Sequence, residues 1–86
     1  MLNFWNRARS YDATRQAVRF WGHDGALEVS FFVTDDALRQ LQPSASADET
    51  GALAAFGAHR DRVLGAAARV YARGRKGSYE VDAADL

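Results

Sequence analysis

Between Ala17 and Thr34 the chain reads AVRFWGHDGALEVSFFVT, with apolar residues recurring at every second position on either side of a Gly- and Asp-containing centre. A period of two predicts a β-hairpin over residues 17–34. Asp24-Gly25 is a strong two-residue turn signal, because a type I′ turn needs positive φ at both central positions. With those two residues as the loop, His23 pairs with Ala26, Phe20 with Val29 and Val18 with Phe31. Leu27, Val29 and Val33 then share a face with Val18, Phe20 and Phe31, as expected where one face of a sheet is buried. The opposite face carries Arg19, Trp21, Glu28, Ser30 and Phe32.

After the hairpin the apolar period lengthens to that of a helix. In VTDDALRQLQP, Thr34 caps a short helix, Val33 and Leu38 staple its start, and Asp35 and Asp36 lie at its positive end. Pro43 ends it, and PSASADETG reads as a loop. Ser46 and Glu49 form a capping-box pattern that opens a long helix running to about Arg73, buried along Leu53, Phe56, Val63, Leu64, Ala67, Val70 and Tyr71. Unbroken, that helix would span about 40 Å, too long for so small a domain, so a bend or break near Gly57, or a fraying first turn, is expected. Gly74 stops it. A further strand follows over residues 77–81, with Tyr79 and Val81 on one face. Asp82 and Asp85 then cap a last helical turn, where Val81 meets Leu86. Leu2 and Phe4 supply an optional N-terminal edge strand. The expected fold is a single α+β domain over residues 1–86: a small, mostly antiparallel sheet with a short and a long helix packed on one face.

Composition narrows the chemistry more than it identifies it. The 86 residues suffice for one thin core. With no cysteine there are no disulfides, thiolate metal sites or cysteine nucleophiles. The N-terminus lacks the pattern of a secretory signal and no apolar run approaches a membrane span, so a cytoplasmic protein without membrane contact is expected. Net charge is zero, but cations gather in residues 1–20 and 60–76.

Candidate catalytic groups are sparse. His23 and Asp24 sit together at the hairpin tip, where side chains diverge. His59-Arg60-Asp61 matches a kinase catalytic-loop tripeptide, but lies in a helical segment with no glycine-rich loop elsewhere. The pairs Asp35/Asp36 and Asp48/Glu49 belong to helix starts. No cofactor or metal site emerges, and a non-enzymatic role is expected. Three features stand out as candidate binding surfaces. Trp21 and Phe32, with Arg19 and Trp5, make the outer hairpin face too aromatic for an ordinary solvated surface. Either the N-terminal segment folds over it or it pairs with a second copy or a protein partner. Arg60 falls within the apolar stripe of the long helix, which implies a buried ion pair with Glu80 or Asp82, or an anion site. Arg62, Arg69, Arg73, Arg75 and Lys76 form a basic stripe, the alternative reading being contact with nucleic-acid phosphates.

From Tyr11 to Leu86 the chain resembles a family of small bacterial proteins known as domain of unknown function 1488. The likeness rests on the AVRFWGHDG hairpin, Arg60 following Phe56, and the closing AADL. It implies a compact bacterial α+β domain, and it carries no activity, cofactor or catalytic residue.

Overall fold

The hairpin forms between β3 (Ala17–Asp24) and β4 (Leu27–Thr34), but its loop is Gly25-Ala26 rather than Asp24-Gly25. Gly25 takes φ +61° while Ala26 keeps the ordinary negative sign. Positive φ at the first central residue alone is the Gly-X pattern of a type II′ turn. The register therefore corrects to Val18 opposite Val33, Phe20 opposite Phe31, Gly22 opposite Val29 and Arg19 opposite Phe32. Each partner moves by two residues, so every side chain keeps its expected face. The computed structural model describes residues 1–74 and 76–86.

The N-terminal edge strand is present but split. β1 (Leu2–Asn3) and β2 (Arg9–Asp12) both pair antiparallel with β3, and residues 4–8 leave the ladder between them. Phe4 turns into the core, its ring 6.1 Å from that of Phe20 and 5.5 Å from that of Phe31. Gly22 makes room for it: a Cβ there would stand 2.9 Å from Phe4 Cε1 and 3.0 Å from Leu2 Cδ1.

Three helices connect β4 to β5 (Tyr79–Val81), which joins β4 in parallel with Phe31 opposite Tyr79 and Val33 opposite Val81. The sheet is thus mixed but mainly antiparallel, with five strands in the order β1/β2–β3–β4–β5. β5 is two residues shorter than the expected strand over 77–81, because residues 77 and 78 form a bend. α1 (Asp35–Leu41) is capped as expected, Thr34 Oγ1 accepting from the Ala37 N–H at 3.1 Å.

The expected long helix is two helices, α2 (Glu49–Ala58) and α3 (Arg60–Ala72), and the break expected near Gly57 falls at His59. Its cap is Asp48, not Ser46. Asp48 Oδ1 accepts from the Gly51 N–H at 2.8 Å and from the Ser46 hydroxyl at 2.9 Å. A carboxylate satisfies the orphan donors of a helix start and is also favoured by its dipole, so Ser46 supports the cap from outside. These hydrogen bonds hold the Asp48 carboxyl below its usual range. At the junction, His59 Nε2 and Gln42 Oε1 lie 2.9 Å apart, tying the break to the end of α1. The chain closes in a 3₁₀ turn, Ala83–Asp85, with the expected reciprocal box between Asp82 and Asp85.

All helices pack on the sheet face bearing Val18, Phe20, Val29, Phe31 and Val33. Rings anchor this core: Phe31 stacks on Phe20 at 5.4 Å and on Tyr79 at 5.4 Å, while Phe20 meets Phe56 of α2 at 5.1 Å. Among the described residues no helix is long and apolar enough to cross a membrane.

Candidate functional site

The sheet face away from the helices is built from β3 residues 19, 21 and 23 and β4 residues 28, 30 and 32. Phe32 is only 6% exposed, although it lies outside the main core. Arginines cover it. The Arg15 guanidinium carbon sits 4.1 Å from the Phe32 ring centroid, and that of Arg19 sits 5.6 Å away. Arg19 also lies 5.0 Å from the Trp21 ring and donates through Nη2 to Ser30 Oγ at 3.0 Å. Cation–π contact with an apolar stem lying along a ring lets a charged residue shield an aromatic one while its head stays near water.

At the hairpin end the same face continues through His23. Trp5 stacks on the imidazole at 5.2 Å and 15°, and His23 Nε2 lies 3.6 Å from Glu28 Oε2. Trp5 remains 64% exposed. The N-terminal segment therefore divides: Phe4 enters the core and Trp5 alone lies on the outer face. Two solvent-excluded atoms on this face, Arg19 Nε and His23 Nδ1, have no hydrogen-bond partner among the described residues. Asp24, the other half of the His-Asp pair, faces the opposite way and accepts the Tyr71 hydroxyl at 2.6 Å. The pair is thus divided between two faces of the sheet, with no shared task.

Arg15 and His23 both belong to this surface; the sequence marks His23 only as half of a His-Asp pair at the hairpin tip and gives Arg15 no role. For His23 the signal is parity, since it shares the odd-numbered side of β3 with Arg19 and Trp21. Arg15, however, precedes the strand in a turn, where alternation gives no guide.

Arg60 does not form the expected ion pair with Glu80 or Asp82. Its Nη2 donates instead to the Phe4 carbonyl oxygen at 2.9 Å, holding the loop between β1 and β2 against the start of α3. The basic stripe is divided as well. Arg69 Nη2 donates to the Asp85 carbonyl at 2.9 Å, and Arg73 Nη1 to Asp85 Oδ1 at 2.8 Å, so both clamp the C-terminal turn. Burial works against ionisation of Asp85, yet the Asp82 N–H and the Arg73 guanidinium outweigh it and hold the carboxyl below its usual range. Arg62 is exposed and lies apart, beside Arg60 at the helix junction. Lys76 is exposed, and its backbone N–H donates to the Tyr79 hydroxyl oxygen at 2.8 Å. Arg75 lies outside the described residues. Among the described residues no group of three His, Asp or Glu side chains is placed to hold a metal.

A family model described as "Protein of unknown function (DUF1488)" matches residues 2–81. The chain belongs to the DUF1488 family. Among solved structures it is similar to a protein of unknown function from the DUF1488 family of Shewanella loihica PV-4, with a TM-score of 0.80 at 16% identity, covering 93% of this chain and 90% of that one. At that identity the likeness establishes a shared DUF1488 fold and nothing about chemistry. No curated protein matches this chain.

Proposed function

We propose that this DUF1488 chain is a non-enzymatic self-association module of the cytoplasm, pairing with a second copy of itself through the outer face of the β3–β4 hairpin. The observation that carries this reading is the 64% exposure of Trp5 on a sheet face that no helix covers, continuous with partly buried Trp21. Tryptophan and arginine are the residues most enriched where interfaces draw their energy. The face also carries both signs of charge, with Glu28 exposed opposite His23, and Glu80 exposed beside Phe32, over which Arg15 and Arg19 lie. A two-fold contact sets one patch against itself, so a single-sign face repels its copy whereas a mixed one has complementary groups to match.

The test is molar mass by light scattering on a sizing column, at low and high salt, with absorbance at 260 and 280 nm. The reading expects a dimer that persists at high salt, is free of nucleic acid, and becomes a monomer on Trp21→Ser. A monomer at every concentration overturns it. A monomer that carries 260 nm absorbance at low salt and releases it at high salt transfers the function to Arg62, Arg69, Arg73, Arg75 and Lys76. The engagement of Arg69 and Arg73 by Asp85 weighs against that outcome.

A further inference from the structure

A second surface lies on the helical side, where α2 meets α3. There a cleft of ≈ 290 Å³ is lined by Arg7, Gly57, His59, Arg60, Asp61 and Arg62. The bond from Arg60 to the Phe4 carbonyl sets the β1–β2 loop, which carries Arg7, beside the helix junction. Arg9 approaches from β2: its Nη2 stands 3.9 Å from the position a Cβ on Gly57 would occupy. Among the described residues, none of these arginines forms an ion pair. Asp61 is the one carboxylate in the lining, and it too is unpaired. Guanidiniums gathered without a carboxylate partner repel one another, and a bound anion relieves that repulsion.

We propose that this cleft binds a phosphoryl group, that of a small phosphate monoester or of free phosphate. Three guanidiniums lining it, set against one carboxylate, leave two positive charges. That balance suits a phosphate of charge about −1.5 to −2 at neutral pH better than a monoanionic carboxylate. The planar fork of arginine also matches phosphate oxygens two at a time. A polynucleotide is disfavoured, because a phosphate track along α3 would need Arg69 and Arg73, which are held by Asp85. The site is separate from the hairpin face, so each proposal stands or fails alone.

The experiment is calorimetric titration of the full chain at fixed ionic strength with inorganic phosphate, adenosine 5′-monophosphate, adenosine and a short single-stranded oligonucleotide. The first two probes should bind and adenosine should not. Tighter binding of the monophosphate identifies an ester as the ligand, and equal binding identifies phosphate itself. Arg7→Gln and Arg62→Gln, both exposed and outside the core, should each weaken binding on the order of ten-fold. Phosphate should raise the melting temperature of the parent but not of the double variant. The proposal is overturned if neither phosphate probe binds at millimolar concentration, if both substitutions leave affinity unchanged, or if only the oligonucleotide binds.

Discussion

Replacing Tyr11 by Phe removes one hydroxyl and tests how the edge of the sheet is fastened to the helical layer. Tyr11, on β2, donates to Asp35 Oδ2 at 2.6 Å, and Asp35 is the first residue of α1. The other carboxylate oxygen of Asp35 is shut from solvent without a hydrogen-bond partner among the described residues, so this hydroxyl is the main compensation the carboxylate receives there. The hydrogen bond to Asp35, then partial burial, then the charges of Asp35, Glu49 and Asp12 push the Tyr11 hydroxyl up to about 12. Against an unfolded value of about 10, two units correspond at most to about 2.7 kcal/mol. Solvent contact screens much of that, leaving about 1 kcal/mol.

The folded chain holds this proton more tightly than the unfolded chain does. The stabilisation is therefore complete below the unfolded value and is lost as pH rises through the folded one, being half gone near about pH 11. Urea unfolding followed by far-ultraviolet circular dichroism, from neutral pH to the alkaline limit, should find Tyr11→Phe less stable by about 1 kcal/mol below pH 9, with the gap closing above about pH 10. A gap that stays constant with pH, or a variant as stable as its parent at neutral pH, refutes the argument.

Two further substitutions probe the N-terminal segment. Gly22→Ala places a methyl group 2.9 Å from Phe4 Cε1 and 3.2 Å from Phe31 Cε2, and should cost about 1–3 kcal/mol in urea unfolding. No loss would mean that Phe4 does not occupy the space over Gly22. Arg60→Met keeps the apolar stem but deletes the bond to the Phe4 carbonyl, at a cost of about 1.5 kcal/mol. It should also speed tryptic cleavage after Arg7 and Arg9, and unchanged stability with unchanged cleavage would count against the clasp.

The parts of this fold legible in the sequence are those specified by period and by local caps. Alternation assigned Val18, Phe20, Val29, Phe31 and Val33 to one face, and Thr34 and Asp82 announced their helical turns through hydrogen bonds spanning only two or three residues. The position of the turn is not legible in that pattern, for a definite reason. Moving the loop from Asp24-Gly25 to Gly25-Ala26 shifts every partner by two residues and leaves both faces unchanged, so the hydrophobic pattern favours neither. Ring packing separates them, since the observed register places Phe20 directly against Phe31 at 5.4 Å. The helix break shows the same limit. Excess length demanded a break, but its place depends on His59 meeting Gln42 and Arg60 meeting Phe4, contacts spanning 17 and 56 residues.

The outer hairpin face shows how a correct reading of parity can still miss the chemistry. Phe32 was placed on the right side of the sheet, yet it is buried beneath two arginines rather than bare. One of them, Arg15, reaches back from a turn that carries the left-handed residue Gln16, φ 51°. Shielding by arginine changes what the face can do. An uncovered Phe32 and Trp21 would offer an apolar patch to any hydrophobic surface, whereas an arginine over the rings restricts the contact to a partner that can satisfy a guanidinium as well as cover an indole. Trp5 escapes this shielding, because its stacking partner is the imidazole of His23 and its far side meets water. Docking should therefore begin at Trp5 and spread toward Arg19. For that reason Trp21, which stands between them, is the residue whose removal should break the pairing of two copies.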